Sequence, residues 1–272
     1  MLDSFFQLAY PAQALVATLF TWALTALGAC VVFFMRRPNR NVMDAMLGLA
    51  GGVMVAAAFW SLLSPSIDMA ESLGMVPWLT ALIGFMGGGI LLFCGDRVFT
   101  RLTEKGALLR REDTSSRAGL KRCAMLVFSI TLHNIPEGMA IGVAFGSLAY
   151  GLEGSTPIGA WLLALGIGLQ NLPEGMAVSV PLRREGYTPK QAFFYGQLSG
   201  VVEPIAAVLG ALLVIKIRTC LPFLLAFAAG AMIYVAVEEL IPESQTNENK
   251  DWMALFTLVG FSVMMVMDVA LG

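Results

Sequence analysis

One histidine and 13% charged residues in a chain of 272 exclude several chemistries at once. With His133 alone there is no H-E-x-x-H pair, and no other nucleophile-and-base arrangement stands out, so a metalloenzyme or hydrolase reading has nothing to rest on. A soluble domain carries roughly twice this charge. The four cysteines, Cys30, Cys94, Cys123 and Cys220, show no C-x-x-C spacing and read as small packing residues within or beside apolar runs. No lysine or arginine precedes Arg36, so the N-terminus lacks the basic n-region of a secretory signal and is expected to be a retained first span. The net charge of −2 says nothing about partners, and no nucleic-acid partner is indicated.

What is present is apolar sequence: 57% hydrophobic residues, a mean hydropathy of +0.75, and eight runs near the length needed to cross a bilayer. They fall at about 12–35, 42–63, 76–95, 122–148, 157–181, 191–215, 219–241 and 252–271. The expected fold is an all-α polytopic membrane protein, one transmembrane domain over 1–272, with the lipid bilayer as its surroundings. The segments after the first, third, fifth and seventh runs hold 15 of the 17 Lys and Arg. That bias predicts these segments on the cytoplasmic side and both termini outside. The polar stretch 99–120 is expected to be a cytoplasmic loop, disordered or simply solvated.

Two of the runs repeat a polar signature. HNIPEGMAIGV from His133 and QNLPEGMAVSV from Gln170 agree at seven of eleven positions, at an offset of 37 residues. Consecutive spans run in opposite directions, so this is an inverted pair. A weaker echo aligns AGGVMVAAAFWSLLSP from Ala50 with AAGAMIYVAVEELIPE from Ala228, setting Met54 on Met232 and Ser61 on Glu239. Inverted repeats mark secondary transporters whose substrate site lies at mid-membrane between the repeats.

The repeated motif carries its own chemistry. A charged side chain at mid-bilayer costs about 2.5–3.5 kcal/mol on insertion scales, so Glu137 and Glu174 are expected to face a cavity, a partner or an ion. On a helix, residues i, i+1 and i+4 share one broad face, which groups His133, Asn134 and Glu137, and likewise Gln170, Asn171 and Glu174. Pro136 and Pro173 remove a backbone N–H and loosen carbonyls one turn earlier, near Leu132 and Leu169. Irregular backbone at this depth is tolerated where it lines a polar cavity. Glu203, followed by Pro204, adds a third buried carboxylate. An imidazole, carboxylates and amide oxygens together suit a borderline divalent metal. A proton or organic-cation transporter using the same carboxylates is the alternative. Met54, one of 16 methionines, reads on composition alone as packing.

HNIPEG, QNLPEG, the GQLSGVVEP stretch and the eight runs resemble the ZIP (Zrt-, Irt-like protein) family of divalent metal transporters, its prokaryotic GufA-type branch above all. The resemblance implies helices arranged as three, two and three, with spans four and five forming the metal path. It assigns the metal site to His133, Asn134, Glu137, Gln170, Asn171, Glu174 and Glu203, and adds Met54. It further implies Ser61 and Asp68 towards the external entrance, Glu239 on the cytoplasmic route, and Asp268 as an additional pathway residue. The metal, Zn²⁺ or a similar ion such as Cd²⁺, Fe²⁺, Mn²⁺ or Co²⁺, is then cargo and not a cofactor. Alternating access is expected to move spans one, four, five and six against the rest, as in an elevator, with the Gly87–Gly89 face allowing close sliding contacts. The resemblance also admits a homodimer, and a bacterial cytoplasmic membrane as the location. Two departures stand out. Asn171 takes the place of an aspartate found in some relatives, which favours one well-occupied site over a two-metal centre. The 99–120 loop has no histidine, so it cannot sense metal as His-rich loops do.

Overall fold

The protein's structure, a computed structural model, describes residues 7–34, 39–108, 114–151, 156–184 and 186–271. Among these residues eight helical rods follow one another: α1 Tyr10–Phe34, α2 Arg40–Ser72, α3 Pro77–Leu108, α4 Thr114–Ser147, α5 Pro157–Arg184, α6 Pro189–Lys216, α7 Leu221–Ser244 and α8 Lys250–Leu271. Six of them, all but α4 and α5, contain stretches long and apolar enough to cross a membrane. The two outside that set are the rods that carry the repeated polar motif. Of the stretch expected to be a loop, α3 continues to Leu108 and α4 begins at Thr114. The α2–α3 link turns at Gly74, whose φ of +68° is one that a side chain would strain.

Glycine sets which rods pair. In α4, Gly138, Gly142 and Gly146 lie directly against the backbone of Glu203, Ala207 and Ala211 in α6. Both partners advance by four residues per contact, so the two helices are parallel and in register, the small-xxx-small packing of membrane helices. The same parallel ladder joins α2 to α8, where Gly48 and Gly52 meet the carbonyls of Met253 and Thr257. It also joins α3 to α7 and α1 to α5. A Cβ on Gly88 would lie 1.9 Å from the Phe227 carbonyl oxygen, whereas one on Gly87 or Gly89 would sit at ordinary van der Waals distance. Gly88 therefore makes an interlocked seam with α7, not a surface for sliding.

These four pairs exchange among themselves when α1 is matched with α6, α2 with α7, α3 with α8 and α4 with α5. The packing thus has the two-fold relation that the sequence echoes suggest. A further trace is local. Helix α2 is interrupted by a π-helical turn at Ala58–Leu63 and α7 by one at Ala236–Leu240. In each case a proline, Pro65 or Pro242, sits at the start of the helix that resumes. Its missing N–H and its ring displace the preceding hydrogen-bond ladder by one residue.

The extensive pairings also divide the rods into two groups, α1 with α4, α5 and α6, and α2 with α3, α7 and α8. The groups meet mainly where α2 packs on α5 and α4 on α7. Between α2 and α5 lies a water-sized cavity of about 10 Å³, lined by Met43, Met46, Leu47, Pro173, Met176 and Ala177. In the second group a polar clamp holds the start of α2 to the α7–α8 turn. Buried Asn247 donates through Nδ2 to Asp44 at 2.7 Å and to Asn41 at 2.9 Å, and Arg40 pairs with Asp44 at 3.4 Å. Cys30, Cys94 and Cys220 are free thiols; the Cys123 side chain lies outside the described residues.

Candidate functional site

Helices α4 and α5 run unbroken through Pro136 and Pro173, leaving the carbonyls of Leu132 and Leu169 without their helical donors. Asn134, Glu137, Gln170, Asn171 and Glu174 are at most 3% exposed, while Ile135 and Leu169 between them are 41% and 47% exposed. The polar face of both motifs is therefore turned inward and the apolar face outward. His133 stands on α4 one turn before Glu137; its side chain lies outside the described residues.

Each amide group described here donates to a neighbour. Gln170 Nε2 donates to Glu137 Oε1, joining α5 to α4. Asn171 Nδ2 donates to Glu203 Oε1 at 2.8 Å, and lies 3.3 Å from the Thr21 carbonyl oxygen. The Thr21 hydroxyl donates to the other oxygen of Glu203. Asn134 Nδ2 donates to the Ser199 carbonyl at 2.9 Å. These bonds tie α4, α5, α6 and α1 around one buried centre.

What remains is oxygen. Asn134 Oδ1, Glu137 Oε2, Gln170 Oε1, Asn171 Oδ1 and both carboxylate oxygens of Glu174 are buried and have no hydrogen-bond partner among the described residues. An unsatisfied buried polar group costs on the order of 1–3 kcal/mol, and a charged one more. Six unpartnered acceptors gathered on two facing helices are what a cation would satisfy, since it offers positive charge to every one of them. Among the described residues no three His, Cys, Asp or Glu side chains gather closely enough to hold a metal by themselves.

Glu203 differs from the other two carboxylates, because both of its oxygens accept hydrogen bonds. Met54 is fully buried on α2 and belongs to the main apolar core, so its thioether faces inward and not to lipid. Ser61 and Asp268 meet: the serine hydroxyl donates to Asp268 Oδ1 at 2.7 Å, and Oδ2 is left unpartnered. Asp68 is exposed on the last segment of α2, and Glu239 is half-buried in the π turn of α7.

Thr21 was not among the residues that the motifs pick out. Its signal is a stripe of buried polar residues on the apolar α1, Gln13, Thr18, Thr21 and Thr25, all at most 2% exposed. Their spacing of three to five residues marks one helix face. Trp22 is a second such residue, its indole N–H donating to the Gln197 carbonyl at 2.8 Å and fastening α1 to α6.

Comparison with known proteins gives the chain's family. Residues 110–268 match the family described as ZIP zinc transporter. The chain is 37% identical to human zinc transporter ZIP11 over 96% of its own length and 97% of the relative's. It is 36% identical to zinc transporter ZIPB of Bordetella bronchiseptica, covering 92% of this chain and 79% of that one. With zinc transporter GufA of Myxococcus xanthus the identity is 33%, over 95% and 98%. The family is one of transporters and not enzymes, and the metal is its substrate and not a cofactor. With its long apolar helices, this multi-pass membrane protein belongs to the ZIP family of zinc transporters.

Proposed function

We propose that the protein carries Zn²⁺, and chemically similar divalent ions such as Cd²⁺, across a cytoplasmic membrane into the cell, through a site between α4 and α5. The single observation that supports this reading most is the set of six orphaned oxygens on the two inward-facing motif surfaces. In the proposed site Glu137 and Glu174 supply charge, Asn134, Gln170 and Asn171 supply neutral oxygen, and His133 supplies the nitrogen that favours zinc over magnesium. Met54, one helix away, offers a thioether to softer ions.

On this reading all eight rods cross the bilayer, with both termini outside and the basic segments inside. The ion enters past Asp68, Ser61 and Asp268, is held at the centre, and leaves past Glu203 and Glu239. Alternating access follows from the division of the packing: α1, α4, α5 and α6 move as a body against α2, α3, α7 and α8. Every hydrogen bond described at the centre lies within the first group, so the ion would travel with its ligands on α4 and α5 and part from Met54 on α2.

The test is flux into proteoliposomes with an internal metal indicator, using inhibitors of access from one side to fix orientation. Saturable entry of Zn²⁺ and Cd²⁺ without Mg²⁺ is expected. Entry of Mg²⁺ as readily as Zn²⁺, or of no divalent ion at all, would overturn the reading.

A further inference from the structure

The three buried carboxylates are not equivalent. Among the described residues Glu174 has two unpartnered oxygens and Glu137 one, whereas both oxygens of Glu203, 0% exposed, accept a hydrogen bond. Its partners come from two different helices: Asn171 of α5 on Oε1 and Thr21 of α1 on Oε2. The Thr21 hydroxyl is also 3.1 Å from the Thr18 carbonyl oxygen, but it has one proton, and a carboxylate is the stronger acceptor. The position is further constrained by the backbone. Gly138 of α4 packs on the Glu203 backbone so closely that a Cβ would lie 2.3 Å from its carbonyl oxygen, and Gly200 leaves just enough room beside Oε1. Glu203 can therefore turn towards an ion on α4 and α5 chiefly by giving up its two donors.

We infer that Thr21 is a positioning residue: its hydroxyl holds the Glu203 carboxylate back from the metal, so that this chain retains one ion at the α4–α5 centre and not two. The inference rests on the metal-transport reading above. Asn171 acts in the same direction, because its amide group donates to Glu203 where an aspartate would instead repel it and invite a bridging ion. Thr21 differs from Asn171 in contributing no orphaned oxygen to the ion site, so its effect on stoichiometry must run through Glu203.

The experiment is zinc binding to the purified full chain in detergent micelles, by isothermal titration and by metal content after desalting. The variants are Thr21→Val, Thr21→Ala, Thr21→Ser and Thr21→Val combined with Glu203→Gln. Wild type and Thr21→Ser are expected to retain one zinc. Thr21→Val and Thr21→Ala are expected to show a second binding event tightened by about tenfold, the worth of a hydrogen bond to a charged group. The Glu203→Gln combination should remove that event and leave the first. A purely structural role for Thr21 would lower stability without adding a site. Unchanged stoichiometry and affinity in well-folded Thr21→Val and Thr21→Ala, or a second event that survives Glu203→Gln, would overturn the inference while leaving the transport reading intact. Failure of wild type to bind any zinc would overturn both.

Discussion

At the level of single residues, the centre is a problem of unmatched hydrogen-bonding capacity. Asn134, Gln170 and Asn171 each donate an amide N–H to a neighbour, and among the described residues their oxygens have nothing to accept from. Removing Glu137 should thus cost more than one ligand, because Gln170 loses the acceptor that orients it. Replacement of Glu137 by glutamine is expected to weaken zinc binding by at least tenfold, read by titration, since a carboxylate becomes neutral in a buried site. Asn171→Asp carries the opposite expectation: without metal it destabilises, as two carboxylates then face each other without the amide donor, and zinc raises its melting temperature by more than it raises that of the wild type. A zinc-induced shift no larger than the wild type's would contradict this. Bound carboxylates and histidine must be deprotonated, so protons compete with metal, and the zinc KM is expected to rise as the medium is acidified. The motif residues were legible in the sequence because buried charge is rare enough to be conspicuous. Thr21 by itself was not, because a threonine in an apolar helix ordinarily bonds back to its own turn, and only the stripe it shares with Gln13, Thr18 and Thr25 marks it.

At the level of elements, helix boundaries were readable to within a few residues wherever apolar runs ended in Pro or charge, as at Pro157, Pro189 and Lys250. Helix α2 runs past the apolar stretch that ends near 63. The structure absorbs Pro65 in a π turn and continues to Ser72. No local pattern distinguishes a proline that ends a helix from one that shifts its ladder; packing against α7 and α8 decides it. The polar stretch 99–120 shows the converse, since charge alone suggested a loop while α3 and α4 extend well into it from either side. The pairing of helices was also hidden, since glycines occur in most of the runs and only their mutual register picks the partner. Gly142 tests that register. A Cβ there would lie 2.1 Å from the Ala207 carbonyl oxygen, so Gly142→Ala must separate α4 from α6. Overpacking of this kind costs about 1–3 kcal/mol, and a fall in thermal stability of that order is expected in a detergent melt. Retention of the wild-type melting temperature would show that the ladder is loose.

For the whole molecule, the division into α1, α4, α5, α6 and α2, α3, α7, α8 is the feature that makes movement conceivable. The centre's hydrogen bonds lie inside the first group, while the Asp44–Asn247 clamp and the Ser61–Asp268 contact lie inside the second. Each group is stapled to itself, and the α2–α5 contact contains a gap lined by methionines. Tying Met46 to Met176 across that gap, through cysteines introduced in a cysteine-free background and a short reducible crosslinker, is expected to stop zinc flux and to release it on reduction. Transport that continues with the crosslink intact would rule out relative motion of the two groups. The two-fold exchange of helix pairs was foreshadowed by the motif repeat at His133 and Gln170, whereas the partition into groups was available only through the family resemblance, because it depends on contacts between rods far apart in the chain.

The central claim, that the ion sits on the orphaned oxygens between α4 and α5, is tested most directly by zinc flux into proteoliposomes containing the wild type and a Glu137→Ala, Glu174→Ala double variant, each verified as folded. Saturable entry in the wild type and its abolition in the double variant are the predicted results. Entry unchanged in the double variant would contradict the claim and place the ion elsewhere in the bundle.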